Sequence, residues 1–317
     1  MTIAWVIGNG GMLGAALSHA LRRHGTTLFV PQERFCWAHW QILSAQMAAN
    51  VQAFAKLAST ADHWEVYWAA GIGTMNSTTE ALASESQALA YLLQLFETEP
   101  CLGHHGSIAF ASSAGAIYAG SKEAVMTEMT PPKPTTAYAH EKLKQEDLMG
   151  AYAHAHAGMT ALIARISTIY GAGQAIGKPQ GLLTHIARHL LRNQPIQIYV
   201  PFDTIRDYIA VDDAARTIIR TMTVARLQSG IHTKIIASES PTTIAEIISI
   251  FKRIARRPPL IITSASKLSS VYARRIQFRS VMLTDGTQTA RTSLSIGIAR
   301  LMMAERTAFV RHGLSST

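Results

Sequence analysis

VIGNGGMLG, residues 6–14, ends an apolar run over residues 3–7 and opens a helical pattern that continues from residue 12 to about 24. A short apolar run over 27–30 follows, so the opening reads as strand, helix, strand. Gly8, Gly11 and Gly14 fall in a G-x-x-G-x-x-G spacing at the turn. Glycines there let backbone approach a pyrophosphate at a helix N-terminus, where N–H groups without partners and the helix dipole favour negative charge. Met12 and Leu13 lie in the same first turn and join the cofactor-binding set. A G-x-G-x-x-G reading fails, because Leu13 stands where its last glycine belongs. A tight strand-to-helix turn with no ligand would give the same letters.

Outward from this turn the alternation persists. Apolar runs of strand length recur at 65–69, 107–111 and 160–166, separated by helical patterns at roughly 38–59, 79–97 and 138–156. This order predicts an α/β fold of Rossmann type, a doubly wound parallel sheet covered by helices on both faces. Beyond Gly171 the pattern loosens into a Gly/Pro-rich link, a helix to about 191, a turn at 193–195, and helices near 212–223 and 243–256. Thr243 with Glu246 forms a capping box for the last of these. The expected organisation is a dinucleotide-binding domain over 1–175, to which 205–237 returns, and a smaller, interleaved α/β substrate domain over 176–317. The tail after about residue 305 has few apolar residues and is expected to fray.

Composition narrows the class. The chain has 317 residues, with 48% hydrophobic and 15% charged side chains, enough to bury a large core and too apolar for dominant disorder. No stretch approaches the roughly 20 apolar residues of a membrane span, and the apolar start is broken by glycines and lacks a basic leader. The expectation is a soluble cytoplasmic protein with no membrane partner. Two cysteines, Cys36 and Cys101, are too few for a disulfide framework or a structural zinc site. Residues 1–158 hold 8 Lys and Arg against 12 Asp and Glu, net −4, whereas 159–317 hold 21 against 8, net +13. The basic half suits an anionic partner, and its cations are dispersed without an aromatic-rich basic stretch, which favours a diphosphate over nucleic acid.

A second constellation is Tyr138 with Lys142, in AYAHEKL. Residues four apart on a helix share a face, about 6 Å apart along the axis. An adjacent ammonium favours phenolate, so the expected tyrosine pKa falls toward neutrality and Tyr138 becomes usable as a general acid and base. A surface pair on an amphipathic helix would give the same spacing.

Order supplies the support. The glycine turn is followed by YWAAG (67–71), FASSAG (110–115), the Tyr138/Lys142 helix, RISTIYGAGQ (165–174) and RDYIAVDD (206–213). In this order the sequence resembles the extended short-chain dehydrogenase/reductases, the sugar-nucleotide epimerase/dehydratase family, over roughly residues 3–215. The resemblance implies that Gly8, Gly11 and Gly14 form the pyrophosphate turn, that Ala69 and Ala70 pack against the cofactor, and that Tyr138 and Lys142 are the catalytic tyrosine and its lysine. It also implies that Lys142 holds the nicotinamide ribose and that Arg206, with Arg279 as a second contact, reaches a sugar-nucleotide diphosphate.

Several positions depart from that pattern. The family's hydroxyl residue, four before the tyrosine of its strand-end motif, falls on Ala114, four before Tyr118. Ser113, as a catalytic hydroxyl, and Ser112, as a substrate contact, stand beside it. The usual asparagine of the fourth helix is matched by Glu85, and the asparagine after the sixth strand by Thr168, taken here as a substrate contact. For the adenosine ribose, Gln32 takes the place of the acidic residue of NAD enzymes. The cofactor is NAD or NADP, and Arg34, converging with Arg22 and Arg23 on a 2′-phosphate, would favour NADP. No metal site is expected: His185 and His189 share a helical face but lack a third ligand, and His104, His105, His154 and His156 read as ordinary polar groups. Gly115 and Ala116 occupy the place of the Asp-Glu pair of dehydratases. The resemblance therefore implies an NAD(P)-dependent 4-epimerase of a sugar nucleotide, with a ketoreductase or a cofactor binder without turnover as alternatives. The implied assembly is a homodimer through the helices near 79–97 and 138–156.

Overall fold

The computed structural model describes residues 1–71, 73–74, 77–103, 106–174, 181–263, 274–283 and 291–314. The first half runs β1 (Thr2–Ile7), α1 (Met12–Arg23), β2 (Thr27–Phe29), α2 (Trp40–Ala58), β3 (His63–Trp68), α3 (Thr79–Glu97), β4 (Gly106–Ser113), a single turn α4 (Ala114–Ile117), α5 (Ala137–Ala155) and β5 (Thr160–Ile166). The second continues with β6 (Thr168–Tyr170), α6 (Leu182–Arg192), β7 (Ile196–Ile198), β8 (Ile205–Ala210), α7 (Val211–Ala225) and β9 (Gly230–Ile236). It closes with β10 (Pro241–Thr243), α8 (Ile244–Ala255), β11 (Ile261–Thr263) and α9 (Leu294–Leu314).

Six strands form one parallel sheet in the order β2-β1-β3-β4-β5-β9. Alternation along β1 decides which layer each residue enters: Ile3, Trp5 and Ile7 join α2, α3 and α5 on one face, while Ala4 and Val6 meet α1 and α7 on the other. All seven residues of β5 are buried, as a central strand covered on both faces requires. Thr78 and Thr136 cap α3 and α5 by accepting from Ala81 and Ala139 N–H, which fixes where the helices lining the carboxyl edge begin.

The remaining strands are short. β10-β8-β6 and β11-β7 make two small sheets, and α6, α8 and α9 cover them around Leu183, Ile186, Ile247, Phe251 and Leu301. The stretch 205–237 is divided: α7 and β9 belong to the large sheet, whereas β8 pairs with β6 and β10. Asp207 on β8 ties the two sheets, accepting from Ser167 Oγ (2.7 Å) and from Ser238 N (2.8 Å). The domain boundary expected at 175/176 lies outside the described residues, as do His104 and His105. α9 continues past residue 305 to Leu314, with Ile298 and Leu301 anchoring its first half in the small core.

Candidate active site

The glycine turn stands at the carboxyl edge of β1, where the strand order reverses between β2 and β3. Gly8 has φ +89°, and a Cβ there would lie 2.6 Å from Ala70 N. A Cβ on Gly14 would lie 2.2 Å from Gly8 O, so the first turn of α1 presses directly on the strand end. Gly11 N donates to Gly8 O (2.9 Å), and as N-cap it brings no side chain to the helix start. The result is a cradle of backbone N–H groups from Met12 to Gly14, walled by Ala69 and Ala70, which fits a pyrophosphate. Arg34 is exposed in the loop after β2. Arg22 and Arg23 do not join it: they end α1 at the opposite edge of the sheet, because a helix returning from β1 carries its last turn away from the cradle. Their expected convergence is corrected on that ground.

Tyr138 and Lys142 open α5 beside the end of β4. Lys142 is buried, with Nζ 5.0 Å from the Phe110 ring centre and 5.9 Å from that of Tyr138. Its ammonium donates to Gln145 Oε1 (2.9 Å), and Gln145 Nε2 donates to Ser86 Oγ on α3 (3.0 Å). Ser113, the last residue of β4, acts on the Tyr138 hydroxyl so as to hold its pKa down. The expectation that Lys142 would bring the phenol toward neutrality is corrected. Burial, with the charge of Glu85 added, pushes Tyr138 up to about 12 against the lowering by Ser113, so the phenol is protonated at neutral pH. Burial also lowers Lys142, opposed by Glu85, Glu146 and Glu141.

A second cluster lies one turn further along α5. Arg165, near the end of β5, grips Glu146 with Nε at 3.0 and 3.2 Å and Nη2 at 2.6 Å, and its Nη1 donates to the Tyr118 hydroxyl (2.6 Å). Ser112 Oγ donates to the same carboxylate (2.5 Å). Ser112, expected at the substrate, is therefore engaged in this buried cluster, because successive strand residues point to opposite sides. Sequence reasoning missed the cluster; its one signal was an acidic residue four after Lys142 on the same helical face.

The other expected residues are spread along the chain. Thr168 is half-buried at the start of β6, paired in register with Tyr208. Arg206 on β8 donates to the carbonyl of Ile205 (2.7 Å), and Arg279 is exposed, its N–H bonded to Met126 O (2.9 Å). His185 and His189 stack at 3.9 Å with a backbone carbonyl as partner to His189. Among the described residues no group of three or more His, Cys, Asp or Glu could hold a metal ion, and no helix is long and apolar enough to cross a membrane.

The chain belongs to the NAD dependent epimerase/dehydratase family, whose model matches residues 4–235. A dTDP-L-rhamnose 4-epimerase of Burkholderia thailandensis is 27% identical over 124 residues, 39% of this chain and 33% of that protein. A UDP-glucuronate 4-epimerase of Thermodesulfobacterium geofontis is 26% identical over 148 residues, 45% of this chain and 42% of that protein. The chain thus spans about a third to two fifths of the length of these curated relatives. Among solved structures, MoeE5 in complex with UDP-glucose and NAD superposes with a TM-score of 0.79 at 21% identity, covering 98% of this chain and all of that one. This last likeness shows the shared fold.

Proposed function

We propose that this member of the family interconverts a nucleotide-activated sugar at one carbinol carbon, as a 4-epimerase, with Tyr138 as acid and base. The observation that carries the reading is the buried Lys142 ammonium 5.9 Å from the Tyr138 ring, beside a glycine cradle suited to a dinucleotide. The names of the curated relatives support the same chemistry. When bound, a nicotinamide dinucleotide supplies a hydride acceptor that returns the hydride to the same carbon. Tyr138 acts from its phenolate: once the phenol has lost its proton it takes that of the sugar hydroxyl as the carbon is oxidised and gives it back on reduction, so the rise of its pKa to about 12 makes the oxidising half speed up as pH rises. Ser113 holds the oxygen in line, and Lys142, fixed through Gln145 to Ser86, sets the charge around the phenol. Next to Ser113, a Cβ on Gly115 would meet nothing within 4 Å, which leaves room for a keto sugar to present its other face. Gly115 and Ala116 carry no proton, so the elimination of a dehydratase has neither acid nor base there.

The second reading is a ketoreductase of a keto sugar nucleotide, and the protonated state of Tyr138 favours it, since reduction begins with proton donation. Arg206 and Arg279 serve the diphosphate in either reading. For the cofactor, Arg34 after β2 favours NADP over NAD. The assembly proposed is a cytoplasmic homodimer through α3 and α5, whose exposed Ala83, Ala151 and Ala155 permit close helix approach; light scattering at micromolar concentration giving a monomer would refute the dimer. Incubation with UDP- and dTDP-hexoses tests the chemistry. Interconversion without net cofactor use supports the epimerase, stoichiometric NADPH use selects the reductase, and an accumulating 4-keto-6-deoxy sugar refutes both.

A further inference from the structure

Helix α8 buries one face and charges the other. Ile244, Ile247 and Phe251 enter the small core, while Ser249, Lys252, Arg253 and Arg256 follow the i, i+3, i+4, i+7 spacing of a single stripe on the opposite side, all of them exposed. Arg256, at the C-cap, takes a left-handed backbone (φ +53°) that ends the helix, and Arg257 beside it donates to the carbonyl of Leu190 near the end of α6. With Pro258, these residues line a pocket of about 360 Å³.

That lining holds four cations and no carboxylate. Among the described residues none of the four makes an ion pair: Arg257 takes the Leu190 carbonyl, Arg253 Nη2 lies 3.4 Å from Ser295 Oγ, and the side chains of Lys252 and Arg256 have no partner. Nearby carboxylates are committed elsewhere. Helix α6 carries none, Glu246 closes the capping box at the far end of α8 by accepting from Thr243 N (2.7 Å), and Glu305 of α9 is paired with Arg188 (2.8 Å). The dipole of α8 offers about half a negative charge at this end, too little to balance four positive ones.

We propose that this pocket is an anion site for a small ligand carrying two or more phosphate groups, separate from the dinucleotide cradle and from Arg206. Arg206 pairs with Thr242 on β10, just before α8 begins, and the 12 residues of α8 carry its charged end about 18 Å further along the helix axis. The diphosphate assigned to Arg206 is therefore a helix length away. Guanidinium forks match phosphate oxygens in pairs, and a lone phosphate group brings a charge of only about −2, half of what the four cations can balance. A pocket of this volume suits a small molecule, for which the usual range is about 300–1,000 Å³, and its lining has no aromatic ring on which a nucleic-acid base could stack.

This inference needs neither Tyr138 nor turnover, so it stands or falls apart from the epimerase reading. Inorganic tripolyphosphate is titrated into the full chain by calorimetry at about 0.15 M salt, with inorganic phosphate and a single-stranded oligonucleotide in parallel. Lys252→Gln/Arg256→Gln removes two charges that hold nothing else in the protein, and Arg22→Gln/Arg23→Gln removes two exposed charges at the end of α1. Both variants should melt near the wild-type temperature without ligand, because all four side chains are exposed. Tripolyphosphate is expected to bind saturably, at least about tenfold more tightly than phosphate, and to lose at least about tenfold in affinity in the pocket variant while the α1 variant stays within about twofold of wild type. No saturable binding, equal weakening in both variants, or an oligonucleotide bound more tightly than tripolyphosphate overturns the proposal.

Discussion

Helix α5 holds two buried charges one turn apart, and it holds them in opposite ways. Glu146 is gripped by the Arg165 fork, receives Ser112, and shares the guanidinium with Tyr118. Lys142 touches an amide and a ring face. A charge whose hydrogen bonds are all met by fixed partners behaves as framework, because moving its proton would break several bonds together. A charge held by one neutral partner can follow changes in its surroundings, and that is the end of the helix where Tyr138 stands. The same division separates neighbours on β4, with Ser112 given to the framework and Ser113 to the phenol.

The largest expected effect tests the framework. Glu146→Ala leaves Arg165 buried without its counter-charge and should cost about 3–5 kcal/mol by urea unfolding; a cost under about 1 kcal/mol would dissolve the contrast. Tyr138→Phe should lower turnover at least about a hundredfold while dinucleotide affinity and melting temperature stay close to wild type. The adjacent serines sharpen the comparison, since Ser113→Ala is expected to lower kcat about tenfold with little change in stability, and Ser112→Ala to lower stability by about 1–3 kcal/mol. The reverse outcome would exchange their roles. Smallest is Arg206→Ala, away from both clusters, which should raise the sugar-nucleotide Kd about tenfold by calorimetry and leave kcat nearly unchanged. Unaltered binding there would move the diphosphate contact elsewhere.

Much of this arrangement was legible in the sequence where periodicity and turn chemistry act locally. The strand at 160–166, the helix at 79–97 and the glycine spacing of 8, 11 and 14 all correspond to observed elements, since each is decided by residues close in the chain. What escaped was decided across distance. Glu85 and Tyr138 are 53 positions apart, so no local spacing could show that burial and a distant carboxylate, rather than the lysine, raise the phenol's pKa. Ser113 rather than Ala114 acts on the tyrosine, and β4, expected to end at 111, runs on to Ser113. The three-residue strands β6, β7, β10 and β11 are too short to show a period. Arg22 and Arg23 are near Arg34 in number and far from it in space because a helix end separates them.

The pairing of β5 with β9 also bears on how the chain comes together during synthesis. Thr160 stands opposite Gly230, 70 positions later, and β9 is the outer strand of the sheet. Until residues 230–236 leave the ribosome, β5 is an open edge, and its sequence TALIARI is apolar on both faces. Helices α1, α2, α3 and α5 can form and dock on the growing sheet before then, but α7, which shares one face with α1, emerges only just ahead of β9. Contacts of such long separation close slowly, and the nascent chain carries its stickiest strand exposed through that interval. Stalling translation between residues 170 and 230 would hold it there.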